Sequence, residues 1–405
     1  MKIFSLKKLA LAMAIFVAVI FGFASAAQAC TCVIVGKNAS TTGGIIMGRS
    51  VDSNDYECDR LVHVDATNAP GTWLYVDEFN GLEIQLPNTA FEWLYSTISD
   101  NNGVLPGIWA ESGINSQRVS MSASVTIKSN DKMIELDPFV ENGIGESNLT
   151  YVVLPYVSTA REGVQRLGAL IDQYGADGPE ACSISDGNEV WYFEIYSGHQ
   201  WCAQRIPDDC YAVAANNAII GHLDLTDNNT YIHSKDLYSL PAENDVAKNI
   251  DGQFHVAATY GGDLIDWSQI RFWRGRNLFS PAKYPEYDCN QRFELCEKPD
   301  KQITMQDCFA LLRDRLDGTP YAVDEGKDFR PICVEGTNDA HVFQYRSDNK
   351  APLLWLSSGY QEFNAFLPMY YNMSQPPANY STLDFEYNPN DVYWQHRMLS
   401  IAVIA

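Results

Sequence analysis

The pattern of apolar and polar residues predicts a strand-rich domain after residue 30. Short apolar runs bounded by glycine, asparagine or aspartate are typical of strands. The runs at 31–35 and 45–49 flank a polar turn at Gly43-Gly44, which predicts a hairpin. Three later runs with short turns between them predict an antiparallel meander, at 189–195, 200–206 and 210–215. Further strands are predicted at 119–126, 341–345 and 353–356.

Two segments show helical periodicity instead. Thr159-x-x-Glu162 is a capping motif, and the apolar positions after it recur at helical spacing until Gly175. Thr304-x-x-Asp307 predicts a second helix that continues through Leu316 and ends at Gly318. Between them, segment 267–276 carries three arginines among aromatic residues. It is interpreted as a solvated basic patch with one arginine pointing inward.

The first 29 residues predict a secretory signal peptide. Lys2, Lys7 and Lys8 precede a 15-residue apolar run, and Ala27-Gln28-Ala29 provides small residues at a cleavage site. The run is shorter than the roughly 20 residues that span a bilayer. We therefore expect residues 30–405 to form a single secreted or periplasmic domain, without membrane attachment after cleavage. An uncleaved anchor and a lipid-anchored protein modified at Cys30 are the alternatives.

Charge restricts the partners. The formal net charge is −23, and three lysines of the signal segment, which has no acid, leave −26 on residues 30–405. A surface this acidic repels nucleic acid and anionic membranes. A small peptide substrate is compatible with it, and the sequence leaves a homo-oligomer open.

The ten cysteines permit disulfides in an exported chain. Cys202 and Cys210 flank a predicted turn, and Cys289 and Cys296 flank a loop, so both pairs are candidate bridges. Neither Cys-x-x-Cys nor His-x-x-x-His occurs, which argues against a structural zinc site. We predict no metal and no organic cofactor.

Cleavage after Ala29 would place a thiol and an α-amine on one residue, Cys30. The amine, with a pKa of about 8, can act as a base for its own thiol near neutral pH. The predicted hairpin returns Arg49 and Asp52 towards Cys30, where a guanidinium favours the thiolate and a carboxylate can hold the amine. Taken alone, Arg49 and Asp52 also fit a surface ion pair. Asn216, or Asn217 one step later, could donate to an oxyanion.

Other hydrolase signatures are missing from the sequence. Neither a papain-like cysteine motif nor Gly-x-Ser-x-Gly occurs, and the seven histidines are dispersed. We interpret each histidine as structural or as a surface residue.

Several ordered motifs resemble one family. They are Cys30-Thr31-Cys32, Gly113-Ile114-Asn115, Val119-Ser120-Met121-Ser122-Ala123, Glu189-Val190-Trp191-Tyr192-Phe193-Glu194, Arg271-Phe272-Trp273-Arg274, Gly318-Thr319-Pro320-Tyr321 and Arg330-Pro331-Ile332-Cys333. The chain resembles the dipeptidase family of N-terminal-nucleophile hydrolases, which includes lactobacillal dipeptidase A and is related to the secernins. Choloylglycine hydrolases and penicillin V acylases belong to the same clan.

The resemblance implies an α+β fold, a four-layer αββα sandwich of two antiparallel sheets covered by helices. It also implies hydrolysis of dipeptides through an acyl-thioester, or of other amides, such as N-acyl amino acids, bile-acid conjugates or penicillin V. The implied catalytic residues are Cys30, Arg49, Asp52, Asn216 and Arg271. A non-catalytic lipoprotein anchored at Cys30 is the alternative of another class.

Two positions depart from the family pattern. Ala123-Ser124-Val125-Thr126 stands where the family has Ala-Thr-Glu-Thr, and Ser116 stands where a glutamate follows Gly-Ile-Asn. We expect the function of the missing glutamate to be absent or supplied from elsewhere in the chain.

Overall fold

The computed structural model describes residues 30–52, 60–97, 109–323, 329–347, 350–381 and 386–404. The predicted signal peptide, 1–29, and Cys58 lie outside the described residues. The strands are β1 Thr31–Val35, β2 Ile46–Asp52, β3 Arg60–Val64, β4 Thr72–Val76, β5 Glu83–Pro87, β6 Trp93–Thr97, β7 Ala110–Asn115, β8 Ser120–Thr126, β9 Glu180–Ser185, β10 Val190–Ile195, β11 Trp201–Arg205, β12 Tyr211–Ala214, β13 Tyr231–His233, β14 Asn249–Ile250, β15 Gln253–Phe254, β16 Thr337–Gln344, β17 Leu353–Ser358 and β18 Leu367–Tyr370.

The helices flank these strands. They are α1 Asp131–Leu136, α2 Leu149–Val153, α3 Ala160–Tyr174, α4 Ser239–Glu243, α5 Val256–Tyr260, α6 Asp266–Phe279, α7 Met305–Leu312, α8 Ala378–Ser381 and α9 Val392–Ile404, with a 3₁₀ turn at Leu154–Tyr156. Within the described ranges, none of these helices combines the length and apolar character that crossing a bilayer requires.

Two large antiparallel sheets form the centre of the molecule. The six-stranded sheet has the order β12-β1-β2-β16-β17-β18, and the eight-stranded sheet has the order β13-β11-β10-β9-β8-β7-β6-β3. Two small hairpins, β4-β5 and β14-β15, stand apart from them.

Strand β1 is buried on both faces, which explains its uninterrupted apolar sequence. Cys32 and Ile34 pack into the core between the sheets, together with Tyr192 of β10. Val33 and Val35 point the other way, into a core that contains apolar residues of α7. Alternate residues of a strand face opposite sides, so one short run contributes to two cores.

Helix α3 covers the outer face of the eight-stranded sheet. Val164, Leu167 and Ile171 of this helix belong to a core that includes Ile184 and Trp191 of the eight-stranded sheet. The helix begins as predicted, because the Thr159 side chain accepts a hydrogen bond from the Glu162 amide at 3.2 Å. It ends at Gly175. Helices therefore cover both outer faces, and the predicted αββα sandwich is confirmed.

The predicted meander is wrong in its third strand. Strands β10 and β11 pair as expected, but β12 pairs with β1 in the other sheet. The chain turns at 207–210 and crosses between the sheets, and β13 takes the place beside β11. This crossing matters for the site because Asn216 follows β12.

Two other predictions, the end of the second helix and the nature of segment 267–276, also need correction. Helix α7 begins at its capping box but ends at Leu312, and Leu316 adopts φ 66°, outside the helix. Segment 267–276 is not a solvated patch, because it lies within α6 and all three of its arginines are buried. A helix has 3.6 residues per turn, so charged and aromatic residues that alternate in sequence are distributed over all of its faces. Several arginines therefore lie on faces of α6 that pack against the core.

The predicted disulfides do not form. All nine described cysteines are free thiols. Cys202 and Cys210 are both buried, and the Cys210 thiol donates to the Asp209 carboxylate at 3.5 Å. Cys289 is exposed, and Cys296 accepts a hydrogen bond from Gln204 at 3.5 Å instead.

Burial of Glu194 makes stability depend on pH. Its carboxylate accepts hydrogen bonds from the amides of Ile219 and Ile220 and from Tyr196, yet burial raises its pKa from 4.5 to about 7. Because the folded pKa exceeds the unfolded one, this contribution is fully present below pH 4.5 and is lost as pH rises through about 7.

We therefore expect Glu194→Gln to flatten the pH dependence of stability. In the wild type, the free energy of unfolding measured by urea titration should decrease between pH 5 and pH 8. In the variant this decrease should be smaller by about 2–3 kcal/mol. Glu83→Gln, at an exposed position of β5, is the control and should follow the wild type. Parallel curves for wild type and Glu194→Gln would contradict the prediction.

Candidate active site

The β1–β2 hairpin brings Arg49 to Cys30, as the sequence predicts. Cys32 lies opposite Arg49 in the antiparallel register, and the Arg49 Nη1 donates to the Cys30 sulfur at 3.4 Å. Both side chains are buried. Arg49 Nη2 is ion-paired with the Glu111 carboxylate and donates to the Ala123 carbonyl at 2.8 Å. The guanidinium is therefore fixed between the nucleophile candidate and the second sheet.

Asp52 lies at the end of β2 and is buried, which excludes the surface ion pair. Its carboxylate accepts hydrogen bonds from Arg330 at 2.8 Å and from the Thr337 hydroxyl at 2.7 Å. The backbone N–H of Asp52 lowers the pKa of the Cys30 thiol. Asp52 is thus coupled to Cys30 through its main chain, while two neighbours orient its side chain.

Asn216 reaches the same place from the edge strand β12. Cys32 pairs with Ala214, and the same register continued by two residues sets Asn216 opposite Cys30. The Asn216 Oδ1 accepts a hydrogen bond from Arg271 at 2.7 Å, and its Nδ2 donates to Thr126 at 2.7 Å. Asn217 is turned away, since its Oδ1 accepts from the Ile265 amide just before α6.

Arg271 of α6 completes this group. Its Nη1 donates to the Cys30 carbonyl and to the Thr31 hydroxyl, both at 2.9 Å, while its Nη2 holds Asn216. Burial lowers the pKa of Arg271, and Asp52 and Cys30 act in the opposite direction. The other four predicted residues therefore meet around Cys30, although the five come from three strands or strand ends and one helix.

The thiol of Cys30 is protonated at neutral pH in this full-length chain. Burial raises its pKa to about 12, the Arg49 guanidinium lowers it, and the Asp52 and Glu111 carboxylates raise it. In the uncleaved chain the nitrogen of Cys30 is a peptide nitrogen, which cannot accept a proton. Nucleophilic attack therefore needs a base that a free amino terminus would supply.

Comparisons with known proteins place the chain in one family. The model of peptidase family C69 matches residues 29–405. The chain belongs to peptidase family C69. Its relatives include a probable dipeptidase B of Lactococcus lactis subsp. lactis (strain IL1403), 34% identical over 383 residues that cover 90% of this chain and 79% of the relative.

Two further relatives of this C69 chain carry similar names. A probable dipeptidase B of Streptococcus pyogenes serotype M1 is 33% identical, with 92% of this chain and 78% of the relative covered. A probable dipeptidase of Latilactobacillus sakei is 29% identical, with 93% and 81% covered. The resemblance seen in the sequence motifs is thus confirmed at the level of the family.

Sequence reasoning missed several neighbours of Cys30 in this C69 fold. No strand was predicted at Glu111, but it lies in the buried strand β7. Arg330 and Thr337 orient Asp52 and had no predicted role. A signal existed for Arg330, which opens a motif shared with the family, whereas Glu111 carries none beyond its charge in a run of small residues.

A hydrogen-bonded Ser-His-Asp group also lies between the sheets. Ser122 contacts His341 Nε2 at 2.7 Å, and His341 Nδ1 contacts Asp339 at 3.0 Å. All three are buried, and burial lowers the pKa of His341, so its ring is neutral at pH 7. The order matches that of a serine hydrolase, and the hydrogen bond between Ser122 and His341 ties β8 to β16. We interpret the group as a link between the sheets.

One group of possible metal ligands lies elsewhere in the described residues. Donor atoms of His222, His255 and Glu294 all fall within 4.8 Å of one another. The His255 Nδ1 accepts the amide of Ala258 at 3.1 Å, so its neutral ring carries a proton on Nε2, towards Glu294. That proton occupies the lone pair that a metal needs. The residues therefore do not fit a metal in this arrangement.

Proposed function

We propose that this C69 peptidase is an exported cysteine dipeptidase whose nucleophile is Cys30 at a mature amino terminus. The observation that carries the proposal is the convergence of Arg49, Asp52, Asn216 and Arg271 on Cys30. The dipeptidase names of relatives that align over most of their length support the substrate class. Signal cleavage after Ala29 would both export the chain and liberate the base.

The reaction would proceed in two steps. The α-amine of Cys30 takes the thiol proton, directly or through one water, and the sulfur attacks the carbonyl carbon of the dipeptide. Arg49 stabilises the thiolate, and Asn216 with a backbone N–H stabilises the oxyanion. The carbon–nitrogen bond breaks as the leaving amine takes the proton. Water then attacks the acyl-thioester, which releases the N-terminal amino acid of the dipeptide and restores the thiol.

The side-chain amide of Asn216 is held at both ends. Its Nδ2 donates to the Thr126 carbonyl at 2.7 Å. Arg271 fixes the amide by its oxygen, so the nitrogen faces away from the guanidinium. Arg271 would therefore act as a positioning residue for both Cys30 and Asn216.

The position of the amino group provides the test. A chain that begins at Cys30 should hydrolyse dipeptides, with or without EDTA. The same chain with one extra glycine before Cys30 should be slower in kcat/KM by about 10²-fold or more, because the base is displaced from its thiol. Intact mass of both proteins and iodoacetamide labelling are the controls for an unmodified thiol.

Several results would contradict the proposal. Equal activity of the extended chain would remove the role of the α-amine, and inhibition by EDTA would point to a metal enzyme. Turnover of penicillin V or bile-acid conjugates instead of dipeptides would favour the amidase alternative. A diacylglycerol adduct on Cys30 in the exported protein would favour the lipoprotein.

A further inference from the structure

Three glutamates lie beside the arginine that contacts Cys30. We call Glu111, Glu146 and Glu180 the glutamate cluster. Glu111 is fully buried and ion-paired with Arg49, while the Ser124 hydroxyl donates to Glu180 at 2.6 Å. The Ser124 carbonyl in turn accepts from the Arg49 Nη1 that also donates to the Cys30 sulfur. The cluster therefore begins one guanidinium away from the nucleophile candidate.

The charges of the glutamate cluster are not balanced. Arg49 is the cation that lowers the pKa of all three members, and it is also shared with Cys30. Burial raises the pKa of each carboxyl, and Glu146 raises those of Glu111 and Glu180 further. Among the described residues, three acids face one arginine, and Glu111 and Glu180 are buried, so positive charge is short, which is costly unless protons or a cation are bound.

Hydrogen bonding shows the same deficit. Oε1 of Glu111 and Oε1 of Glu146 are buried and have no hydrogen-bond partner among the described residues. Glu194 is a useful contrast, since both of its carboxylate oxygens accept backbone hydrogen bonds. Buried carboxylate oxygens are normally satisfied. The glutamate cluster thus lacks both a positive charge and N–H donors, and an ammonium group supplies both.

We propose that the glutamate cluster binds the free α-ammonium group of a dipeptide substrate. This inference rests on the proposed function of Cys30. In a dipeptide the ammonium nitrogen lies about 2.5 Å from the scissile carbonyl carbon, given standard backbone dimensions. A dipeptide whose carbonyl lies at the Cys30 sulfur would therefore hold its ammonium close to the groups around that sulfur. Glu111 is near this position, because Arg49 contacts both the Cys30 sulfur and the Glu111 carboxylate. The ammonium offers three donors to carboxylates that need them.

A pair of isosteric substrates tests the proposal. Alanyl-alanine and propionyl-alanine differ only in the amino group, and release of the C-terminal alanine measures both. For the mature wild type, kcat/KM for alanyl-alanine should exceed that for propionyl-alanine by roughly 30-fold or more, as expected when one partner of a buried charge pair is removed. Equal values would overturn the proposal and do not depend on any variant folding.

Variants then assign the preference to the glutamates. Glu146→Gln combined with Glu180→Gln should reduce the preference at least tenfold, while kcat/KM for propionyl-alanine changes little. Glu194→Gln, a buried glutamate whose oxygens are partnered, is the matched control and should keep the wild-type preference. An unchanged preference in the double variant, or an equal loss on both substrates, would mean a structural role and overturn the proposal.

Failure of the proposed function gives a different result. If Cys30→Ala kept full activity on alanyl-alanine, or the wild type hydrolysed neither substrate, the nucleophile assignment would fail. A wild type that needs Cys30 but ignores the amino group would refute the ammonium site alone.

Discussion

Cys30→Ala should reduce the kcat/KM of the mature chain on dipeptides by at least about 10⁴-fold, because the only step that forms the acyl-thioester requires this sulfur. The loss should appear in kcat at every pH, since alanine keeps the α-amine but offers no thiolate. Folding should be nearly unaffected, because a small residue replaces another in a packed site. Steady-state kinetics and circular dichroism check both statements.

Ser122→Ala is the matched variant, because the Ser122 hydroxyl is the alternative candidate for the nucleophile. It removes the hydrogen bond to His341 and should cost about 1–2 kcal/mol of stability while activity stays within severalfold of the wild type. The reverse outcome, with Ser122→Ala inactive and Cys30→Ala active, would identify the buried Ser-His-Asp group as the catalytic one. If the Ser-His-Asp group is structural, a fluorophosphonate, which labels activated serines, should not label Ser122 in the wild type.

Arg49→Met should cause the second large effect, on both activity and stability. Removing the guanidinium leaves the Glu111 carboxylate buried without its cation, which costs about 3–5 kcal/mol. It also removes the charge that lowers the pKa of the Cys30 thiol, so kcat/KM should fall by about 10²–10³-fold. Urea titration and kinetics on the folded fraction separate the two effects.

A double variant distinguishes chemistry from folding. Arg49→Met with Glu111→Gln removes both charges, so much of the stability should return while activity stays low. Arg274→Met is the control for loss of a buried arginine, since Arg274 pairs with Asp314 at 2.6 Å and not with Cys30. Recovery of activity together with stability in the double variant would show that Arg49 serves folding alone.

Local elements were predicted well from the sequence. The hairpin at Cys30 and the start of α3 follow from patterns within about 20 residues, and a turn or cap fixes each of them. Errors arose where distant parts of the chain compete. The third strand of the predicted meander, β12, pairs with β1 of the other sheet and not with β11. The arginines of α6 contact buried partners that no local pattern reveals.

The site divides in the same way. Cys30, Arg49 and Asp52 lie close in sequence, so a hairpin suffices to predict their meeting. Asn216 and Arg271 were placed by family resemblance, and the register of β12 with the contacts of α6 explains why they converge. Glu111 could not be predicted, because a charged residue in a strand is ordinarily exposed and only packing between the sheets reverses that.

The sequence by itself determined the two-faced strands, the helix caps, the acidic charge and the presence of a cysteine after a predicted cleavage site. These depend on the period of the backbone and on side chains close together in the chain. Only the tertiary structure decided which charges are buried, which asparagine faces Cys30, and that three glutamates share one arginine. Those outcomes depend on contacts between residues more than 30 positions apart, and no local pattern encodes their partners.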